Sequence, residues 1–254
     1  MRLIDLSRSL ENAVPADPPG LGPRIEYSGH QQSLQGMLAM FPGLSASQLP
    51  NGEAWAVEML TITTHNGTHV DAPWHFASTM NHGERAWTID EVPLDWFYRP
   101  GVKLDFRDMP DGHVVSAGEL ALRVAASGHE LKQFDIVLMN TRAGAAYGGP
   151  AYVDSGCGFG REATLWLLER GVRVMGTDGW SWDAPFSYTR RRFLETGDAS
   201  IIWDGHKASL DIGYCHIEKL ANLEQLPATG FLVSCFPFKI KSASAGFTRA
   251  VAIL

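Results

Sequence analysis

Three histidines and one aspartate fall between residues 65 and 75 of the 254-residue chain, in the run HNGTHVDAPWHF that spans residues 65–76. Imidazole and carboxylate together suit zinc, manganese or iron. A lone histidine in a polar loop would carry little meaning, but the whole chain has only 9 of them. Chance is a poor explanation for three so close together beside Gly, Thr and Pro. A bound dication lowers the pKa of coordinated water from 15.7 to about 7 and polarises a carbonyl. A neutral imidazole nearby can then take and return a proton. His65, His69 and Asp71 are the candidate ligands. His75 stands just outside them, as an acid/base group or as a ligand of a second ion.

The local sequence limits how these groups converge. His65 and His69 are four apart and would share a helix face, but Gly67, Thr68, Val70 and Pro73 all oppose a helix. In an extended segment alternate residues share a face, which aims His69, Asp71 and His75 to one side. A bend at Gly67 would swing His65 back to the same ion.

Other elements must hold this segment. Residues 3–6 read as a first strand, and residues 14–24 (VPADPPGLGPR) as a Pro/Gly loop. Residues 25–52 read as an irregular surface excursion with a short helix near 45–49. Residues 56–63 alternate as a strand that leads into the motif. Further strands are expected at 102–106, 135–140, 172–177, 231–235 and 249–254. A helix over 116–127 begins at Ser116 with a capping box to Glu119, and one over 161–170 ends at Gly171. Strand and helix alternate in the middle, with strand and loop at both ends. This implies an α/β fold with a partly closed, barrel-like sheet. No repeat or linker is evident, so one domain over residues 1–254 is expected.

Composition narrows the function. The chain is 45% hydrophobic and 19% charged with net charge -7, which suits a globular protein and disfavours nucleic acid as a partner. Arg190, Arg191 and Arg192 read as a solvated helix face. No apolar run is long enough to span a bilayer, and the N-terminus has no signal-peptide core, so a cytoplasmic protein is expected. Cys157, Cys215 and Cys235 have no metal-type spacing and read as reduced and buried.

The pattern H-x-G-T-H-x-D-x-P-x-H-F, matched at His65, Gly67, Thr68, His69, Asp71, Pro73, His75 and Phe76, resembles that of the cyclase family of metal-dependent hydrolases. That family includes kynurenine formamidases, isatin hydrolases and polyketide cyclases. Weaker matches are DLS near the start, GVRVMGTD, EKLANLEQLP and the C-terminal FPFKIKSASAGFTRAVAI. The resemblance implies a swivelling β/β/α domain with a barrel-like central sheet and flanking helices, paired as a homodimer. It implies that His65, His69 and Asp71 bind the metal, and that His75 is a base or second-metal ligand. It adds His206 and Glu218 to the metal shell; from the residues alone, either reads more readily as a surface group. His216, His82, His113 and His129 are competing candidates.

The long segments 7–55 and 179–205 depart from the short formamidase pattern and favour a different, bulkier substrate, aromatic or cyclic. Trp180, Trp182 and Trp203 would line an aromatic pocket or simply pack in the core. Trp74, Phe76 and Trp87 have the better claim to face the site. The leading expectation is hydrolysis of a cyclic amide or lactone with Zn or Mn, one ion or two. The alternatives are aldol-type polyketide cyclisation by the same ion and a non-catalytic metal-binding protein.

Overall fold

The computed structural model describes all 254 residues. Strand β1 (Leu3–Asp5) is followed by a loop, then by a ribbon of β2 (Arg24–Ser28) and β3 (Val57–Thr61), with helix α1 (His30–Met40) between them. The chain enters β4 (His69–Asp71), a one-turn helix α2 (Pro73–Phe76) and a small hairpin of β5 (Thr79–Met80) and β6 (Glu84–Arg85). The central part runs β7 (Tyr98–Asp105), β8 (Val114–Val115), α3 (Ala117–Ala126), β9 (Ile136–Asn140) and α4 (Ala143–Ala146). It continues through β10 (Gly158–Phe159), α5 (Arg161–Leu168), β11 (Val174–Thr177) and α6 (Phe186–Thr196). The end is β12 (Cys215–Glu218), β13 (Phe231–Ser234), β14 (Ala245–Phe247) and β15 (Val251–Ile253).

Nine strands form one sheet in the order β1-β15-β13-β7-β9-β11-β12-β4-β14. The middle strands β7, β9, β11 and β12 are parallel, and the outer pairs are antiparallel. The sheet must curl. β14 is at one edge and β15 is next to the other, seven strand spacings away, or about 34 Å if flat. Only residues 248–250 join them, a link that reaches about 14 Å. The expected α/β class and barrel-like sheet are therefore met.

The central strands β9 and β11 bury apolar side chains on both faces, as a covered parallel sheet requires. Ile136, Leu138, Val174, Cys215 and Ile217 pack in the core inside the curl, together with Val70 and Ala72. Val137, Met139 and Met175 face the other way, against Leu120 and Val124 of α3 and Leu167 of α5. Ser116 caps α3, with its hydroxyl accepting from the Glu119 N–H and the Glu119 carboxylate accepting in return. Gly171 takes φ 89° just after α5, as a helix stop requires.

Residues 25–52 are more regular than expected, since they contain β2 and α1. α1 (HQQSLQGMLAM) shows no apolar stripe, and of its residues only Ser33 is buried. That explains why periodicity gives no sign of it. The strand expected at 56–63 exists as β3 but pairs only with β2, outside the main sheet. Arg190 and Arg191 are exposed on α6, and all three cysteines are free and buried. Burial pushes the Cys157 thiol up to about 12 and holds the other two high as well, which removes them as nucleophiles. No helix is long and apolar enough to cross a membrane.

Candidate metal centre

Two strands build the centre by alternation. Val70 of β4 and Ile217 of β12 point into the core, so their neighbours His69, Asp71, His216 and Glu218 emerge on the opposite face. The antiparallel register sets His216 opposite Asp71 and Glu218 opposite His69, distances at which cross-strand side chains touch. The result is a compact group: His69 Nε2 lies 3.3 Å from Asp71 Oδ1 and 3.6 Å from Glu218 Oε2. His216 Nε2 lies 3.0 Å from Asp71 Oδ2 and 3.2 Å from Glu218 Oε1.

The turn before β4 brings in His65. Gly67 sits at φ 60°, a conformation glycine adopts freely, and a Cβ there would lie 2.8 Å from Leu10 Cδ2. The bend returns His65 Nδ1 to 2.9 Å from Asp71 Oδ1, while His65 Nε2 meets Ser244 Oγ at 3.1 Å. Thr68 ties the turn down: its hydroxyl donates to the Lys219 carbonyl at 2.7 Å and accepts from the Arg8 N–H. Past β4 the extended path expected from the sequence is replaced by a helical turn. Pro73 starts the α2 turn, and the turn carries His75 Nε2 to 4.0 Å from Asp71 Oδ2.

His206 arrives from a distant segment. Its Nδ1 is hydrogen-bonded to the Asp183 carboxylate, which also accepts from the Gly205 N–H. Ligand-capable atoms of Asp71, His206, His216 and Glu218 all lie within 4.8 Å of one another, as do those of His65, Asp71 and His75. Asp71 belongs to both sets, and His69 joins through Asp71 and Glu218. The chain thus gathers every residue expected at the metal. It adds His216, which the sequence left among several alternatives. The available signal was the His-x-Glu alternation at 216–218, unread because the short strand β12 went unrecognised. His82, His113 and His129 are engaged elsewhere, with Asp211, Glu119 and Asp135.

The group fits a cation. Asp71 and His69 are completely buried. His69 Nδ1 donates to the Gly67 carbonyl at 2.9 Å, which aims Nε2 at Asp71 and Glu218. Yet His69 Nε2 and Asp71 Oδ1 have no hydrogen-bond partner of sound geometry, a costly state that a metal ion relieves.

Charge tells the same story. Burial opposes ionisation of Asp71, but the surrounding imidazoles hold its carboxyl well below the usual range. Glu218 is likewise lowered, by His216 and His69 against burial and the Asp71 charge. Burial disfavours a charged His216, yet its bonds to Asp71 and Glu218 raise it to about 9. Burial lowers His75 to about 4, with Asp71 opposing and His65 and His206 assisting. His65 is raised, because Asp71 outweighs its burial.

Above the cluster is a cavity of about 270 Å3 whose walls include Leu21, His75, Trp180, Phe186, Trp203 and His206. Trp180 and Trp203, each expected as pocket wall or core, both line this cavity. Four other aromatic side chains lie elsewhere. Trp182 is fully buried, its ring 4.5 Å from that of Phe159 and its N–H bonded to Thr164. Phe76 packs 4.8 Å under the His216 ring. The α2 turn leaves Trp74 40% exposed and outside the cavity wall, and Trp87 packs 5.9 Å from Trp96 against the core. Trp182 still serves the centre through its backbone N–H, which donates to Glu218 Oε1 at 3.0 Å. Sequence gave no sign of Asp17 and Lys219. The buried Lys219 ammonium donates to the Asp17 carboxylate and, at 2.9 Å, to the His65 carbonyl. Asp17 also accepts from Asn66 at 3.0 Å. This clamp lays the Pro/Gly loop over the cavity.

A curled α/β sheet that presents a buried imidazole and carboxylate cluster beneath an aromatic-walled cavity is the arrangement of a metal-dependent hydrolase. The family model described as "Putative cyclase" matches residues 4–184. The chain belongs to this cyclase family. A kynurenine formamidase of Salinibacter ruber is 28% identical over 193 residues, 76% of this chain and 77% of that protein. One from Erythrobacter litoralis is 26% identical over 204 residues, 80% of each chain. Among solved structures, isatin hydrolase A from Labrenzia aggregata bound to benzyl benzoate is similar with TM-score 0.74 and 25% identity, over 100% of this chain and 93% of that one. An isatin hydrolase bound to the product analogue thioisatinate shares the fold with TM-score 0.75 and 20% identity, over 99% of this chain and 92% of that one.

Proposed function

We propose that the chain hydrolyses the C–N bond of a small aromatic amide, cyclic or N-formylated, with a divalent ion held by His65, His69 and Asp71 and joined by His206 and Glu218. The observation that carries this reading is the pair of buried atoms His69 Nε2 and Asp71 Oδ1, 3.3 Å apart near a cavity and without a hydrogen-bond partner of sound geometry. A dication bound there supplies Lewis acidity, which acidifies water and polarises a carbonyl. The mixed imidazole and carboxylate set suits zinc or manganese.

His75 moves the proton. Its ring is uncharged at neutral pH, lines the cavity and holds Nε2 4.0 Å from Asp71. It takes a proton from the attacking water and returns it to the amide nitrogen as the C–N bond breaks. His216 positions the two carboxylates by bonding both. Trp180, Phe186 and Trp203 offer apolar faces to an aromatic ring. The names of the relatives, kynurenine formamidase and isatin hydrolase, point to the same kind of substrate.

The working form is a homodimer in the cytoplasm. The exposed apolar side chains Tyr27, Met40, Phe41, Met59 and Leu60 on the β2–β3 ribbon and α1 support a second copy as partner. Three free buried cysteines support a reducing compartment. The test is hydrolysis of isatin and N-formylkynurenine before chelation, after it, and after zinc or manganese is restored. Turnover of at least one substrate, lost with the metal and regained with it, is expected. Turnover indifferent to chelation contradicts the reading.

A further inference from the structure

A second polar pocket, about 430 Å3, lies apart from the metal centre and is lined by Arg8, Arg107, Asn140, Thr141, Arg142 and Glu224 among others. It opens beyond the carboxyl ends of the parallel strands β7 and β9, the side of an α/β sheet where ligands gather. The chain as a whole carries a net charge of -7, yet this pocket collects three arginines against one acid.

Its buried donors are unpaired. Asn140 continues the strand face of Ile136 and Leu138, where a core residue would be expected. It is only 3% exposed, and its Nδ2 group has no hydrogen-bond partner. The Arg8 Nε is also buried and unpaired, while its Nη2 donates to the Gly144 carbonyl at 3.0 Å. Arg142 is exposed and uses Nε on the Arg107 carbonyl at 3.0 Å, which leaves its Nη groups free to face the pocket. Leaving the buried Asn140 and Arg8 donors unpaired is unfavourable.

The charges facing the pocket leave a positive balance. Asp105 occupies Arg107 in an ion pair, and Glu224 is exposed at the rim. Asp178 lies behind Thr141, whose N–H and hydroxyl it accepts. The Arg8 guanidinium lies 4.1 Å from the centre of the Tyr147 ring and feels the Asp178 charge, but it makes no ion pair. Arg142 makes none either.

We infer that this pocket binds a small oxyanion, the carboxylate or phosphate group of a metabolite, through Arg8, Arg142 and the Asn140 amide. Guanidinium forks match the paired oxygens of both groups, and the amide N–H supplies a third donor from the pocket floor. Arg8 also connects this pocket to the metal-binding turn, since its backbone N–H donates to Thr68 Oγ1 at 2.8 Å.

The test is calorimetric titration of the metal-loaded protein with inorganic phosphate in one arm and acetate in the other, at constant ionic strength. Saturable binding in at least one arm is expected, and the arm that binds identifies the oxyanion. The same titrations are run on Arg142→Glu and on Ala145→Glu, which adds a carboxylate at an exposed lining position. Each should weaken binding about 10-fold or more, the loss expected for one charge-assisted contact. Thermal melting checks that both variants are folded, and with two variants one failure to fold leaves the other to decide. No saturable binding up to about 100 mM, the weak limit for a specific site, overturns the inference. So does equal affinity in wild type and variants, because an anion bound at the metal would ignore both substitutions.

Discussion

Two antiparallel strand pairs in this molecule have regular registers and opposite fates. β4 against β12 sets His69 and Asp71 across from Glu218 and His216. β2 against β3 sets Glu26 across from Met59 and Tyr27 across from Glu58. The first pair is buried throughout, while every residue of β3 is exposed. In the buried pair, low dielectric strengthens each charge interaction and penalises each unpaired atom. In the ribbon, water screens the charges, so the Arg24–Glu26 ion pair, 72% and 58% exposed, should contribute little. Register brings side chains together; burial decides whether they become a site.

The largest effect should come from breaking the buried pair. Asp71→Asn removes the carboxylate common to both ligand-capable sets. Metal content should fall to background, with kcat/KM down by about 10^3-fold or more, of the order seen when a key electrostatic group is lost. Elemental analysis and steady-state kinetics check this. His75→Ala should sharpen the picture by separating chemistry from binding. It should lower kcat by about 10^2- to 10^4-fold while the metal content stays at the wild-type value. Loss of half the metal would instead make His75 the ligand of a second ion.

Asp178, a buried carboxyl outside any ion pair, shows how far burial can outweigh the groups that favour its charge, here Thr141 and Arg8. Burial pushes Asp178 up to about 7, even though Thr141 donates to it. The native state then keeps a proton that the unfolded chain loses above its ordinary value of 3.8. Stability therefore falls as pH rises from about 4 to about 7 and is level above, by up to about 4 kcal/mol. Urea unfolding of wild type and Asp178→Asn across this range should give a difference that narrows as pH falls. The smallest effect belongs to the ribbon: Glu26→Ala should change stability by less than about 0.5 kcal/mol, measured by the same unfolding experiment.

The sequence showed the metal segment because its ligands lie close together along the chain and Gly67 dictates the bend between His65 and His69. The capping box at Ser116 and the apolar run 136–139 were legible for the same reason: each is a local pattern with a local cause. What was hidden is contact between distant segments. β12 is four residues long, sits between Tyr214 and the positive-φ residue Lys219, and becomes a strand only by pairing with β4 and β11. With it went the role of His216. The direction of each tryptophan was equally unreadable, since the same residue type serves as cavity wall at Trp203 and as core at Trp182.

Metal binding here depends on two buried atoms, His69 Nε2 and Asp71 Oδ1, that lack a hydrogen-bond partner of sound geometry. Anomalous diffraction from crystals of metal-loaded protein, collected on either side of the metal's absorption edge, tests it most directly. The account predicts a peak in contact with both His69 Nε2 and Asp71 Oδ1. A peak bound elsewhere, or none in protein whose activity depends on added metal, would contradict it.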